Sequence, residues 1–82
     1  MLELRPGCEC CDRDLPPDSA DARICSFECT FCAECAAHRL KGICPNCGGE
    51  LVPRPRRPAA KCAASPPSTR RVFRPKGCAP NP

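Results

Sequence analysis

The stretch Cys25-Ser26-Phe27-Glu28-Cys29-Thr30-Phe31-Cys32-Ala33-Glu34-Cys35 holds four cysteines in eleven residues and decides the fold. Two or three residues separate neighbouring cysteines, a spacing at which a tight turn aims both sulfur atoms at one metal ion. Two more pairs with a two-residue separation flank the stretch, Cys8/Cys11 and Cys44/Cys47. The pattern predicts a small fold held together by metal–thiolate sites.

The composition also indicates that the fold needs such metal sites for its stability. The chain has 82 residues, of which eleven are cysteine, twelve are proline and three are aromatic. Its few large apolar side chains cannot offset the entropy of ordering the whole chain. Disulfide scaffolds belong mostly to secreted chains, whereas this chain starts without a signal-peptide pattern and has an odd number of cysteines. We therefore expect a cytoplasmic protein stapled by metal.

Zinc is the metal that an all-thiolate set favours in a reduced compartment. The spacing predicts two structural Zn²⁺ ions and eight ligands, Cys8, Cys11, Cys25, Cys29, Cys32, Cys35, Cys44 and Cys47. Sequential pairing would give two ribbon-like sites, and interleaved pairing would give a cross-brace. Loop closure tolerates both arrangements, so the residues alone leave the pairing open.

The order of the ligands is similar to that of RING fingers, with Cys29 where most RING fingers place histidine. Phe31 before Cys32 and Pro45 inside the last pair are also RING-like, and the resemblance favours the cross-brace. The runs LELRPGCECCDRDLPPDSADARICSFECTFCAEC and CPNCGGELVPRPRRP together resemble the small cysteine-rich bacterial proteins of domain of unknown function 1272. That resemblance implies a bacterial cytosolic source and a zinc-finger-type head, and it implies no activity.

Two regions follow from composition. Residues 1–52 form the predicted zinc-binding head, and residues 53–82 form a basic tail rich in proline and arginine that we expect to be disordered. Within the head, alternation predicts a strand-like start over residues 2–4 and a hairpin arm over residues 23–27. A helix is predicted over residues 33–41, ended by Gly42, and Leu51-Val52 is expected to return as a final strand.

Charge divides at the same place. Residues 1–50 carry all nine acids and five bases, while residues 51–82 carry eight bases and no acid. An acidic head favours a protein partner and a role as an interaction or regulatory adaptor. The alternative is nucleic-acid binding by the tail, and a tail folded back onto the head is a third possibility. The candidate nucleic-acid contacts are Arg54, Arg56, Arg57, Arg70, Arg71 and Arg74. No apolar run is long enough for a membrane helix.

An enzyme is not expected, because all-cysteine zinc sites are closed and the one histidine lies on a predicted surface helix. Ubiquitin ligation is disfavoured because Glu9 and Cys10 stand where ligase RING fingers present an apolar residue. His38 or Cys10 replacing a ligand is a minor alternative. Cys10, Cys62 and Cys78 would be the residues of a thiol-redox or metal-handling protein.

Overall fold

A short antiparallel sheet lies at the centre of the computed structural model, which describes residues 2–74. Its strands are β1 (Ala22–Ile24), β2 (Thr30–Cys32) and β3 (Val52–Pro53), in the order β2-β1-β3. Arg23 of β1 faces Phe31 on one side and Pro53 on the other. The predicted hairpin and the predicted returning strand are therefore confirmed.

Two short helices accompany the sheet. The first is a π-helical turn, Cys35–Arg39, which helical residues 33–34 precede, so the predicted helix over residues 33–41 begins where expected and ends two residues early. It ends because Lys41 and Gly42 both have positive φ, and the N–H of Gly42 donates to the carbonyl oxygen of Ala36 at 2.8 Å. The second, an α-helix at Ala59–Cys62, lies in the region expected to be disordered.

Cysteine supplies much of the core. Among residues 2–74, seven of the fourteen buried hydrophobic residues are cysteines, and the large apolar side chains beside them are Leu4, Leu15, Ile24, Phe31 and Leu40. So few large side chains contribute too little hydrophobic stabilisation to order a chain of this length alone. The core is therefore built around sulfur.

The predicted N-terminal strand is absent from the described residues. Leu4 is buried, as its alternation with charged residues suggested, but residues 2–5 pair with no strand. Carbonyl oxygens of this segment instead accept hydrogen bonds from donors in the tail. The Ser68 N–H donates to Leu4 O at 3.1 Å, and the Arg57 guanidinium donates to Leu2 O at 3.2 Å. A local pattern could not foresee these long-range partners.

The described part of the tail, residues 53–74, lies against the head. Arg54 is only 3% exposed, and its guanidinium donates to the carbonyl oxygens of Arg5, Leu15 and Pro16 at 2.9–3.1 Å. Arg57 donates to the carbonyl oxygens of Ser65 and Pro66 within the tail and to that of Leu2 in the head. Both arginines join the tail to the head through backbone acceptors. Within residues 2–74, no helix combines the length and the apolar character that crossing a membrane requires.

Candidate metal centres

The first candidate centre contains four sulfur atoms, those of Cys8, Cys11, Cys32 and Cys35, which all lie within 4.8 Å of one another. A zinc–sulfur bond of about 2.3 Å gives a tetrahedron with edges of about 3.8 Å. The Cys11 and Cys32 sulfurs are 3.7 Å apart, which matches such an edge and is far too long for a disulfide. The donor set therefore fits a tetrahedral thiolate-binding ion.

The second candidate centre includes Cys25, which directly follows β1. The sulfur atoms of Cys25, Cys44 and Cys47 lie within 4.8 Å of one another. The Cys29 sulfur falls outside that three-sulfur group. It is still close enough to Cys25 for the two side chains to interact, since burial and the Cys25 thiol together raise the pKa of Cys29. The structure thus brings seven of the eight predicted ligands into two groups and leaves the eighth beside the second.

Each centre contains one turn of the same construction. In the first turn, the Asp12 N–H donates to Cys8 O and the Cys8 N–H donates to Arg13 O, both at 2.9 Å. In the second, the Gly48 N–H donates to Cys44 O at 2.9 Å and the Cys44 N–H donates to Gly49 O at 2.8 Å. These two knuckles present Cys8/Cys11 and Cys44/Cys47 in the same way.

Positive φ closes both knuckles. Gly48 has φ of 78°, as its position after the last cysteine pair predicted. Asp12 takes the equivalent position in the first knuckle with φ of 62°. Sequence reasoning missed this role of Asp12, although an aspartate directly after C-x2-C is one of the few side chains that tolerate this conformation.

Backbone N–H groups point at the sulfurs in both centres. The N–H groups of Cys10 and Cys35 lie 3.4 Å from the sulfurs of Cys8 and Cys32. Similar bonds of 3.3 and 3.4 Å reach Cys25 from Phe27 and Cys47 from Gly49. Such donors stabilise thiolates and leave the remaining sulfur lone pairs for a cation.

Within each centre, the pKa of one thiol is raised and that of another is lowered. Burial and the neighbouring thiols of Cys32 and Cys11 raise the pKa of Cys35. Burial also dominates at Cys44, whose pKa is raised to about 12, with the Cys47 and Cys25 thiols adding to the shift. At Cys25 burial is outweighed by the N–H groups of Phe27 and Cys29, which lower the pKa to about 7. Clustered thiols resist ionising together unless a cation compensates their charge.

Glu9 connects the two centres. Its side chain is 1% exposed, and its Oε2 accepts from the Thr30 N–H at 2.9 Å and from Arg5 Nη1 at 3.0 Å. Its Oε1 accepts from Asn46 Nδ2 at 3.1 Å. Glu9 belongs to the first knuckle and Asn46 to the second, while Thr30 lies between Cys29 and Cys32. One buried carboxylate therefore braces both sites.

Replacing Glu9 with glutamine or alanine is expected to destabilise the protein by about 1–3 kcal/mol, because hydrogen bonds to buried groups such as the Thr30 N–H are weakened or lost, while Arg5 keeps Glu3 as a counter-charge at 3.3 Å. Glutamine keeps the shape of the side chain but not its charge, so the ion pair with Arg5 at 3.0 Å is lost. Glu34→Gln is the matched control, because Glu34 is 68% exposed and forms one ion pair of 3.5 Å with Arg13. Denaturant unfolding of the zinc-loaded proteins measures the difference. Equal stability of the Glu9 and Glu34 variants would contradict the bracing role.

The other residues considered as possible ligands or reactive thiols lie outside the two sulfur groups or outside the described part of the chain. His38 is exposed and lines a cavity of about 160 Å³ beside the first centre, outside the sulfur group. Cys10 is buried and disulfide-bonded, and it belongs to neither sulfur group, so it does not replace a predicted ligand there. The Cys62 sulfur lies 3.6 Å from Pro58 O, away from both centres. Cys78 lies outside the described residues.

The six arginines predicted to contact nucleic acid also differ in burial and in their contacts. Arg54 is buried and Arg57 is bound to carbonyl oxygens, whereas Arg71 forms ion pairs with Asp12 and Asp14. Arg56, Arg70 and Arg74 remain exposed. The structure therefore gives these residues different surroundings rather than a single basic face.

Fold and site together define a small cysteine-rich protein with two groups of thiols that could hold metal ions. The chain belongs to the family described as Protein of unknown function (DUF1272), whose model matches residues 1–57. An uncharacterized protein of Rhizobium meliloti (strain 1021) is 70% identical over 80 residues, which cover 98% of this chain and 95% of that protein. No solved structure matches the chain. The resemblance identified from the cysteine-rich runs is confirmed by the family match.

Proposed function

We propose that the protein binds two structural Zn²⁺ ions in a RING-like cross-brace. One ion is held by the first centre, Cys8, Cys11, Cys32 and Cys35, and the other by Cys25, Cys29, Cys44 and Cys47. The observation that carries the proposal is the interleaving of the two sulfur groups, in which alternate cysteine pairs along the chain meet. The zinc-like sulfur separation and the N–H donors to sulfur support the same assignment.

We further propose that the zinc-bound fold acts as a protein-interaction module of the cytoplasm. Apolar side chains around the second centre support this role, since Phe27 is 71% exposed, Ile43 51% and Val52 41%. Val52 and Ser26 line a cavity of about 330 Å³ together with Glu50, which pairs with Ile43. Such exposed apolar side chains are candidate contacts for a protein partner.

The acidic side chains of the head support a partner that carries basic residues. Five of them are exposed, Asp14, Asp18, Asp21, Glu34 and Glu50. Complementary charge raises the rate and the selectivity of association. We do not propose nucleic-acid binding as the main role, because Arg54, Arg57 and Arg71 already have partners on the chain itself. An enzymatic role is not proposed, since a site closed by four cysteines leaves no position for a substrate.

Native mass spectrometry of the full chain tests the metal part, and the expected result is two zinc ions per chain. Cys62→Ser is the matched control and should also retain two, because Cys62 lies outside both centres. A content of zero or one ion in the native chain would overturn the two-site proposal. Partner capture by zinc-loaded protein tests the interaction role. Phe27→Ser should lose the captured partner and keep both ions, whereas undiminished capture would argue against this surface.

A further inference from the structure

An arginine side chain is seated in a small cradle on the head. The Arg71 Nε donates to Asp12 Oδ1 at 2.7 Å, and Nη2 donates to Asp12 O and to Asp14 Oδ1, each at 2.6 Å. Two carboxylates and one carbonyl oxygen thus receive a single guanidinium. This fork of donors is a property of arginine that lysine lacks.

Gly7 forms the floor of the cradle. A Cβ atom at this position would lie 3.0 Å from Arg71 Cζ and Nη2 and 3.1 Å from Nε, and all three nearest atoms belong to this one guanidinium. Gly7 also pairs with Asp14 in an isolated bridge, which fixes the floor against the acidic wall. The absence of a side chain at Gly7 leaves room for the flat guanidinium group.

The cradle and its occupant come from different parts of the chain. Gly7, Asp12 and Asp14 lie within residues 1–57, the part that the family model matches, and Arg71 lies beyond it. Adjacent tail contacts guide Arg71 to the cradle, since the Ser68 N–H donates to Leu4 O and the Arg74 N–H donates to Glu9 O. The receptor is therefore part of the head, and its present ligand is carried by the tail.

The contact is suited to exchange. The Arg71 side chain is 39% exposed, and those of Asp12 and Asp14 are 42% and 84% exposed. Ion pairs with this exposure are weak and are readily replaced by equivalent ones. The tail holds Arg71 near the cradle at a high effective concentration, so an external ligand must compete with it.

We propose that Gly7, Asp12 and Asp14 form an arginine-recognition site for a basic peptide segment of a partner protein, and that Arg71 fills this site in the free chain. The tail then acts as an internal competitor that lowers the affinity for weak partners. This inference deepens the proposed interaction role and rests on it.

A synthetic peptide with the sequence of residues 68–74, blocked at both ends, serves as the probe. Isothermal titration into zinc-loaded Arg71→Ala protein should show binding about threefold to tenfold tighter than into the unaltered chain, because the competing arginine is removed. Arg70→Ala is the matched control and should bind like the unaltered chain, since Arg70 is exposed beside the seated residue. A peptide with lysine at the position of Arg71 should bind at least several-fold more weakly.

Two further changes on the Arg71→Ala background test the cradle itself. The pair Asp12→Asn and Asp14→Asn removes the charge while keeping a residue that tolerates positive φ at position 12, and peptide binding should be lost. Gly7→Ala changes no charge and obstructs the guanidinium, so it should weaken binding at least severalfold. Asp18→Asn serves as the control, because Asp18 is an exposed acid four residues beyond Asp14 and outside the cradle. This variant should bind the peptide normally.

Zinc content is measured on every protein in the series. Equal affinities of the Arg71→Ala protein and the unaltered chain, or binding that survives in the Asp12/Asp14 variant, would overturn the arginine site. Failure of the peptide to bind the Arg71→Ala protein would show that the contact operates only within the chain, which also overturns it. A variant that keeps two zinc ions and gives one of these results overturns the arginine site alone, whereas loss of zinc from the unaltered chain would count against the proposed metal sites.

Discussion

Removing zinc with a chelator is expected to unfold the head completely. Half of the buried hydrophobic residues are cysteines, and five large apolar side chains complete the core. Structural zinc contributes about 10–16 kcal/mol of binding free energy in small zinc-dependent folds, which exceeds the stability of an ordinary domain. Strands β1, β2 and β3 and the turn Cys35–Arg39 should be lost together, because the four ligands of each site come from distant parts of the chain.

Circular dichroism and amide NMR spectra recorded during chelation measure this effect, and returning zinc should restore the native spectrum. Cys62→Ser removes a half-buried thiol that lies outside both centres, and this variant should follow the same course. A chelated protein that keeps dispersed amide resonances would show that the apolar core and the tail contacts suffice. In that case the metal would not be the element that holds the fold.

Much of the site was accessible from sequence because cysteine pairs encode it locally. A two-residue separation predicts a turn that directs both sulfurs to one side, and Cys44 to Gly49 form such a turn with Gly48 at positive φ. The hairpin was equally predictable, since alternation around Arg23 and the short loop between Cys25 and Cys29 act within a few residues. The pairing of the cysteines into two groups could not be derived from such local patterns.

The features that sequence reasoning missed depend on contacts between distant residues. The sequence analysis assigned Glu9 no structural role, yet its side chain is buried and accepts hydrogen bonds from Thr30, Asn46 and Arg5. Arg54 looked like a solvated tail residue, yet three carbonyl oxygens receive its guanidinium. Apart from Arg5, which is four residues from Glu9, these partners lie 21 to 49 residues away in the chain, so no local pattern of hydrophobicity or charge could reveal them.

The pairing of cysteines is the central claim, and two double variants distinguish its alternatives. Cys8→Ser with Cys32→Ser changes two ligands of the first centre only, so the second centre should keep its ion. Cys8→Ser with Cys25→Ser changes one ligand in each centre, so both ions should be lost. Sequential ribbon-like sites reverse these expectations, because Cys8 and Cys25 would then share one site.

Native mass spectrometry of the two double variants, prepared with the same excess of zinc, is the most direct test. The interleaved arrangement predicts one zinc ion in the Cys8/Cys32 variant and none in the Cys8/Cys25 variant. Glu9→Gln, which changes no sulfur ligand, should keep two ions under the same conditions and serves as a control for general destabilisation. The opposite order of zinc contents, or equal contents in the two double variants, would contradict the interleaved pairing.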